Sequence, residues 1–209
     1  MAEVNALIVK DLREKTGAGV MDCKKALAEA NGDFEKAIVW LRERGIAQAA
    51  KRVGRVASEG SVGAYIHAGG KLGVLVEVNC ESDFVAKTSE FQALVKEIAM
   101  QIAATNPRTV RREEIPPSVV DQERQIYAAQ STGKPEAVIE KIVEGKLTKF
   151  YRDSCLIEQP WMRDPNKTIL DLVNETAAKM GEKLGIRRFV RFQLGHNGES
   201  ATAPNAKSA

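Results

Sequence analysis

The sequence predicts an α+β fold: a three-helix bundle at the N-terminus, then a core in which helices flank a small, about three-stranded antiparallel sheet. Three observations lead there. Over the first fifty residues, apolar side chains recur at helical spacing in short runs separated by breaks at Gly17 and Asn31-Gly32. From Gly60 the period falls to two, in a pair of runs around Ala68-Gly69-Gly70-Lys71. Helical spacing then returns, until a last alternating run over 186–194.

Val4, Leu7, Ile8 and Leu12 form the stripe of the first helix, and Gly17 stands where a C-terminal cap belongs. The second helix buries Cys23, Ala26, Leu27 and Ala30, with Asp22 available as its N-cap. Asn31-Gly32-Asp33 stops it and caps a third, whose inward face is Phe34, Ala37, Ile38 and Leu41 and which Gly45 ends. Helices this short are marginal alone, so their stripes must pack on one another. The Ala-, Lys- and Arg-rich stretch over 46–58 reads as a helical or extended linker.

Strands follow at 60–67 and 72–79, with Val74, Val76 and Val78 on one face and Leu75 and Glu77 on the other. Phe91, Leu94, Val95, Ile98 and Ile102 mark a helix with Ser89 and Gln92 at capping-box spacing, which Asn106-Pro107 stops. Pro116-Pro117 opens a helical region through Gln130, Gly133-Lys134-Pro135 turns, and 136–145 is helical with Ile139, Ile142 and Val143 inward. Pro160 and Pro165 bracket an irregular segment around Trp161, and a helix over about 168–184 precedes the final strand. There Val190, Phe192 and Leu194 face one way, and Arg187, Phe189 and Arg191 the other. The expected organisation is a three-helix module at 1–53, an α+β core at 54–195 and a disordered tail at 196–209. A three-stranded sheet is small enough for one of its faces to need a partner as cover.

Charge is nearly balanced, 31 basic against 28 acidic residues for a net +3, which argues against a dedicated nucleic-acid binder. Lys51, Arg52 and Arg55 read as solvated charge on the linker. The 3 cysteines, Cys23, Cys80 and Cys155, form no C-x-x-C pair, sit beside apolar residues and fit a reducing compartment. The first ten residues lack the apolar run of a signal peptide, and no stretch approaches a membrane span, so a cytoplasmic, soluble protein is expected. The 2 histidines, His67 and His196, have no companion ligands, and no P-loop, G-x-S-x-G or H-E-x-x-H occurs. No base, nucleophile or metal set is in view, so the protein is expected to hold no cofactor and to act through contacts rather than catalysis.

The informative stretch is Asn79-Cys80-Glu81-Ser82-Asp83-Phe84-Val85-Ala86, a tight connection from a strand to a helix. Taken alone, Phe84 reads as a helix-entry residue packing on the core, and Asp83 as an acid favoured by the helix dipole. It does not stand alone. Thr16-Gly17-Ala18-Gly19-Val20-Met21-Asp22-Cys23-Lys24-Lys25-Ala26-Leu27, with Glu29-Ala30-Asn31-Gly32-Asp33, resembles the N-terminal signature of the elongation factor Ts family, and 79–86 resembles its second signature. The likeness continues through Ser131-Thr132-Gly133-Lys134-Pro135, Val143-Glu144-Gly145-Lys146-Leu147 and Arg187-Arg188-Phe189-Val190-Arg191-Phe192, to about Gly195. Ser82 departs from the family's usual threonine, keeping the hydroxyl and losing a methyl. Only one copy of the core fits in this length, as in the family's short form.

The resemblance implies a guanine-nucleotide exchange factor acting on the GDP-bound GTPase elongation factor Tu. Ser82, Asp83, Phe84 and Val85 match the segment that dislodges the GTPase's magnesium ion, Phe84 entering as a wedge. Arg13, Val20 and Met21 match positions of the N-terminal module that face the GTPase; for Val20, core packing is an equal alternative. The short form further implies a homodimer through paired sheets, with neither nucleic acid nor membrane as a direct partner. A different class also stays open: the N-terminal bundle resembles ubiquitin-associated-type modules, which bind proteins without exchange activity, and an enzyme is disfavoured by the missing groups.

Overall fold

The computed structural model describes residues 6–195 except Gly17, Gly19, Val53 and Lys134, and the backbone alone over 46–52. Val4, the cap expected at Gly17 and the tail therefore lie outside the described residues. The chain forms two compact units, one of 1–60, 79–91 and 171–185, the other of 61–78, 92–170 and 186–209.

In the first unit, α1 (Ala6–Thr16), α2 (Val20–Glu29) and α3 (Phe34–Arg52) pack around Val9, Leu12, Cys23, Ala26, Leu27, Ala30 and Ala37. Phe34, Ile38 and Leu41 close over that core as their spacing predicts. The inward stripe of α1 differs: Val9 and Leu12 are buried, and Leu7 and Ile8 are exposed. Apolar residues at 7, 8, 9 and 12 offer two overlapping stripes, and packing on α2 and α3 chooses between them. Asn31 and Gly32 take left-handed conformations (φ 51° and 83°), and the Gly32 N–H returns to the Leu27 carbonyl at 2.8 Å. Asp33 then caps α3 by accepting the Lys36 N–H at 3.0 Å, a bond that holds its carboxyl below the usual carboxylate range. Asp22 is not a cap. It lies within the first turn of α2, 3.8 Å from Arg44. Nor does Gly45 end α3, which runs on to Arg52. A lone glycine costs a helix about 1 kcal/mol against alanine, too little to stop it when helix formers follow.

The three-stranded antiparallel sheet has the order β1 (Glu59–Ile66), β2 (Leu72–Cys80), β5 (Gly185–Gln193). Gly69 and Gly70 (φ 90° and 68°) make the hairpin, and the His67 N–H donates to the Leu72 carbonyl at 2.8 Å. Val74, Val76 and Val78 are buried and Leu75 is exposed, as the alternation requires; in β5 both Ile186 and Phe189 are buried, so burial there departs from a strict period of two. The helix α5 (Ser89–Thr105) buries Leu94, Val95, Ile98 and Ile102, and its Val95 meets the sheet at Gly63. Its cap is the Thr88 hydroxyl, which accepts the Phe91 N–H at 3.3 Å; the Ser89 hydroxyl turns to Glu90 instead.

The approach of α5 to the sheet depends on Gly63, where an added Cβ would sit 2.2 Å from Val95 Cγ1. Gly63→Ala is expected to destabilise the protein by about 1–3 kcal/mol through overpacking, read as a lower midpoint in urea at unchanged slope.

Beyond α5, α6 (Pro117–Ala129) and α7 (Glu136–Ser154) form a helical hairpin, and α7 passes through Gly145 without a break. The segment around Trp161, expected to be irregular, is a small antiparallel pair, β3 (Pro160–Trp161) and β4 (Asp164–Thr168). It is held by the buried Gln101, whose amide donates to the Pro160 carbonyl at 3.2 Å and accepts the Met162 N–H at 3.0 Å. A two-residue strand leaves no period to read. Finally α8 (Ile169–Met180) ends at Gly181 (φ 73°), whose N–H returns to the Ala177 carbonyl at 3.0 Å.

Candidate partner-binding site

Strand β2 ends at Cys80, and the chain turns at Glu81-Ser82 into α4 (Asp83–Ala86), a single helical turn. Ser82 caps it from an extended conformation, its Oγ accepting the Val85 N–H at 3.3 Å. The turn is closed by the Lys87 N–H on the Phe84 carbonyl at 3.2 Å. Burial splits the four residues. Val85 and Ala86 are buried, whereas the Phe84 ring is 77 % exposed and Asp83 lies beside it in solvent. The helix-entry core reading of Phe84 is thus not what the fold adopts: Val85 fills that place, and helical spacing turns its neighbour outward. Val85, predicted as a contact residue, is placed as the inward anchor of the segment.

Asp83 Oδ2 accepts a hydrogen bond from Lys87 Nζ at 2.7 Å. That bond lowers the Asp83 pKa and raises that of Lys87, so both are charged at neutral pH. The pair is fully solvated and adds little to stability.

A residue the sequence reading missed carries the connection. Glu182, just past α8, accepts the Glu81 N–H at 3.0 Å and the Ser82 N–H at 3.1 Å through Oε2, and the Ser82 hydroxyl at 2.6 Å through Oε1. Glu81 answers by accepting the Lys183 N–H at 2.6 Å and an Arg55 guanidinium N–H at 3.3 Å. No local pattern joins residues a hundred positions apart, so periodicity has no signal for this clasp.

Arg13 is exposed on α1. Val20 and Met21 open α2 with 49 % and 75 % of their surfaces exposed, so Val20 is not a core residue. Exposed Leu7 on α1 adds apolar surface that the sequence reading had assigned to the core. Cys23, Cys80 and Cys155 are free and buried, and burial raises the pKa of each thiol. Among the described residues there is no group of His, Cys, Asp and Glu fit to hold a metal, and no helix long and apolar enough to cross a membrane.

Comparison with known proteins agrees with these signatures. The family model described as Elongation factor TS matches residues 9–196. The elongation factor Ts of Thermoanaerobacter sp. (strain X514) is 60% identical over 201 residues, covering 95% of this chain and 98% of that protein. That of Desulforamulus reducens is 57% identical over 197 residues (93% and 91%), and that of Geobacter metallireducens 60% over 194 (92% and 90%). The chain belongs to the elongation factor Ts family of translation elongation factors.

Proposed function

We propose that this protein is a guanine-nucleotide exchange factor that binds elongation factor Tu–GDP in the cytoplasm, loosens the GTPase's magnesium ion and releases GDP so that GTP can bind. The observation that carries the reading is Phe84, an aromatic ring 77 % exposed at the crest of a braced helical turn. Leaving such a ring in water gains the fold nothing, whereas burying it in a partner is worth about 1.5–3 kcal/mol. Ser82, Asp83, Phe84 and Val85 form the wedge, Phe84 and Asp83 projecting from it and Val85 seating it. Entering the GTPase, the wedge displaces a helix and weakens the hold on the ion that neutralises the GDP phosphates. Exchange needs only a preference for the nucleotide-free partner, and each 1.4 kcal/mol of preference is worth about tenfold. No catalytic chemistry and no cofactor of its own are required. Arg13, Val20 and Met21 of the three-helix module, 1–53, make the second contact.

The outer face of the sheet carries a second proposal, a homodimer of the core, 54–195. Val62, Ile66, Leu75, Phe192 and Leu194 are exposed there, and Glu77 and Arg188 pair on it at 2.7 Å. A solvated sheet face is ordinarily polar, so an apolar one calls for a cover, and a second copy supplies a matching surface. Phe192→Glu is expected to convert the dimer to monomer without unfolding it, measured by sedimentation; a wild type that sediments as a monomer refutes the proposal.

The exchange reading is tested by release of a fluorescent GDP analogue from elongation factor Tu. Strong acceleration by the wild-type chain supports it. A folded chain that leaves the rate unchanged refutes it and favours a plain protein-interaction role for the three-helix module.

A further inference from the structure

A single turn of helix has no stability of its own, so the direction in which Phe84 leaves the protein must be set from outside α4. We infer that Glu182 is the positioning residue for this wedge, an inference that rests on the exchange reading.

Its carboxylate accepts three hydrogen bonds, from the Glu81 and Ser82 amides and the Ser82 hydroxyl, at 3.0, 3.1 and 2.6 Å. The last is decisive. Because the hydroxyl proton points at Glu182, a lone pair of the same oxygen is free for the Val85 N–H at 3.3 Å. The chain Val85 N–H, Ser82 Oγ–H, carboxylate is polarised in one direction, and each bond strengthens the next. Glu182 thereby fixes the cap, the cap fixes α4, and α4 fixes Phe84. The carboxylate is itself well placed, because Gly181 (φ 73°) ends α8 immediately before it. The reciprocal bonds from Lys183 N–H and Arg55 to the Glu81 carboxylate keep the two backbone stretches side by side. The Lys183 ammonium adds a bond to the Arg55 carbonyl at 2.8 Å.

Fixing an exposed ring contributes nothing to the core, but it removes an ordering cost that binding would otherwise carry. Glu182→Ala is therefore expected to slow GDP release from elongation factor Tu about tenfold relative to wild type. Glu182→Gln keeps an acceptor oxygen for the amides but sets an N–H donor where the Ser82 hydroxyl donates, and is expected to recover only part of the rate. In the Phe84→Ala background, Glu182→Ala is expected to cost nothing further, since without the ring there is nothing to aim. A role in folding alone predicts the contrary, losses that multiply, and a fall in Tm that tracks the loss of rate. Ser82→Ala, which removes the hydroxyl alone, serves if Glu182→Ala does not fold: it is expected to slow release, and adding Glu182→Gln to it to cost less than Glu182→Gln costs in wild type. Glu182→Ala within twofold of wild type, or losses that multiply with Phe84→Ala, overturn the inference. An inactive wild type overturns the exchange reading and this inference with it; an active wild type beside an unimpaired Glu182→Ala overturns the inference alone.

Discussion

Phe84→Ala is expected to reduce the acceleration of GDP release about thirtyfold, the size of loss that follows removal of an aromatic hot spot worth about 2 kcal/mol. Thermal stability is expected to stay within about 0.5 kcal/mol of wild type, because a ring 77 % exposed leaves no cavity when it is removed. Both readouts are needed. Stopped-flow release of the labelled nucleotide reports the wedge, and thermal unfolding reports the fold. Loss of rate with Tm unchanged assigns Phe84 to the partner. Unchanged rate with unchanged Tm removes it from the mechanism and leaves the exposed ring without a role.

Phe91→Ala is expected to do the opposite. This ring lies seven positions further on, in the first turn of α5, and is fully buried. Its truncation removes a large apolar surface and leaves a void, which together cost about 3–5 kcal/mol. Set against a total stability of about 5–15 kcal/mol, that is a substantial fraction. Urea unfolding followed by circular dichroism measures it as a fall in midpoint at unchanged slope. The fraction that remains folded should retain its exchange rate. On the exchange reading the two phenylalanines are expected to separate function from stability within one short segment; a Phe84 variant that unfolds, or a Phe91 variant that keeps full stability, contradicts the burial of the two rings.

The contrast also shows how far sequence reading reaches. Phe91 was legible because it belongs to a run, Phe91, Leu94, Val95, Ile98 and Ile102, whose members confirm one another through helical spacing. Phe84 has no such run. Its spacing allowed a core residue, and only the resemblance of 79–86 to a family signature pointed outward. In α1 the ambiguity was one of register: Leu7, Ile8, Val9 and Leu12 define two faces, and packing in the core shared with α2 and α3 selected Val9. The glycines at 45 and 145 mislead for a simpler reason. A glycine stops a helix when it takes a left-handed turn with a returning N–H, as at Gly32 and Gly181, and composition alone does not reveal whether the backbone takes that turn.

Local chemistry therefore settled the helices, the glycine hairpin, the valine face of β2 and the absence of familiar catalytic motifs, because each depends on residues within one or two turns of each other. Two signatures in the right order were enough to assign the family, since a long motif carries more information than any single period. Which apolar residues stay in water, and what braces them, depends on surfaces brought together from distant parts of the chain. Val85 turns inward and Phe84 outward because of what lies beneath α4. Glu182 meets Ser82 because α8 ends where β2 ends, a hundred residues later, and hydrogen bonds of that range leave no trace in the spacing of a sequence.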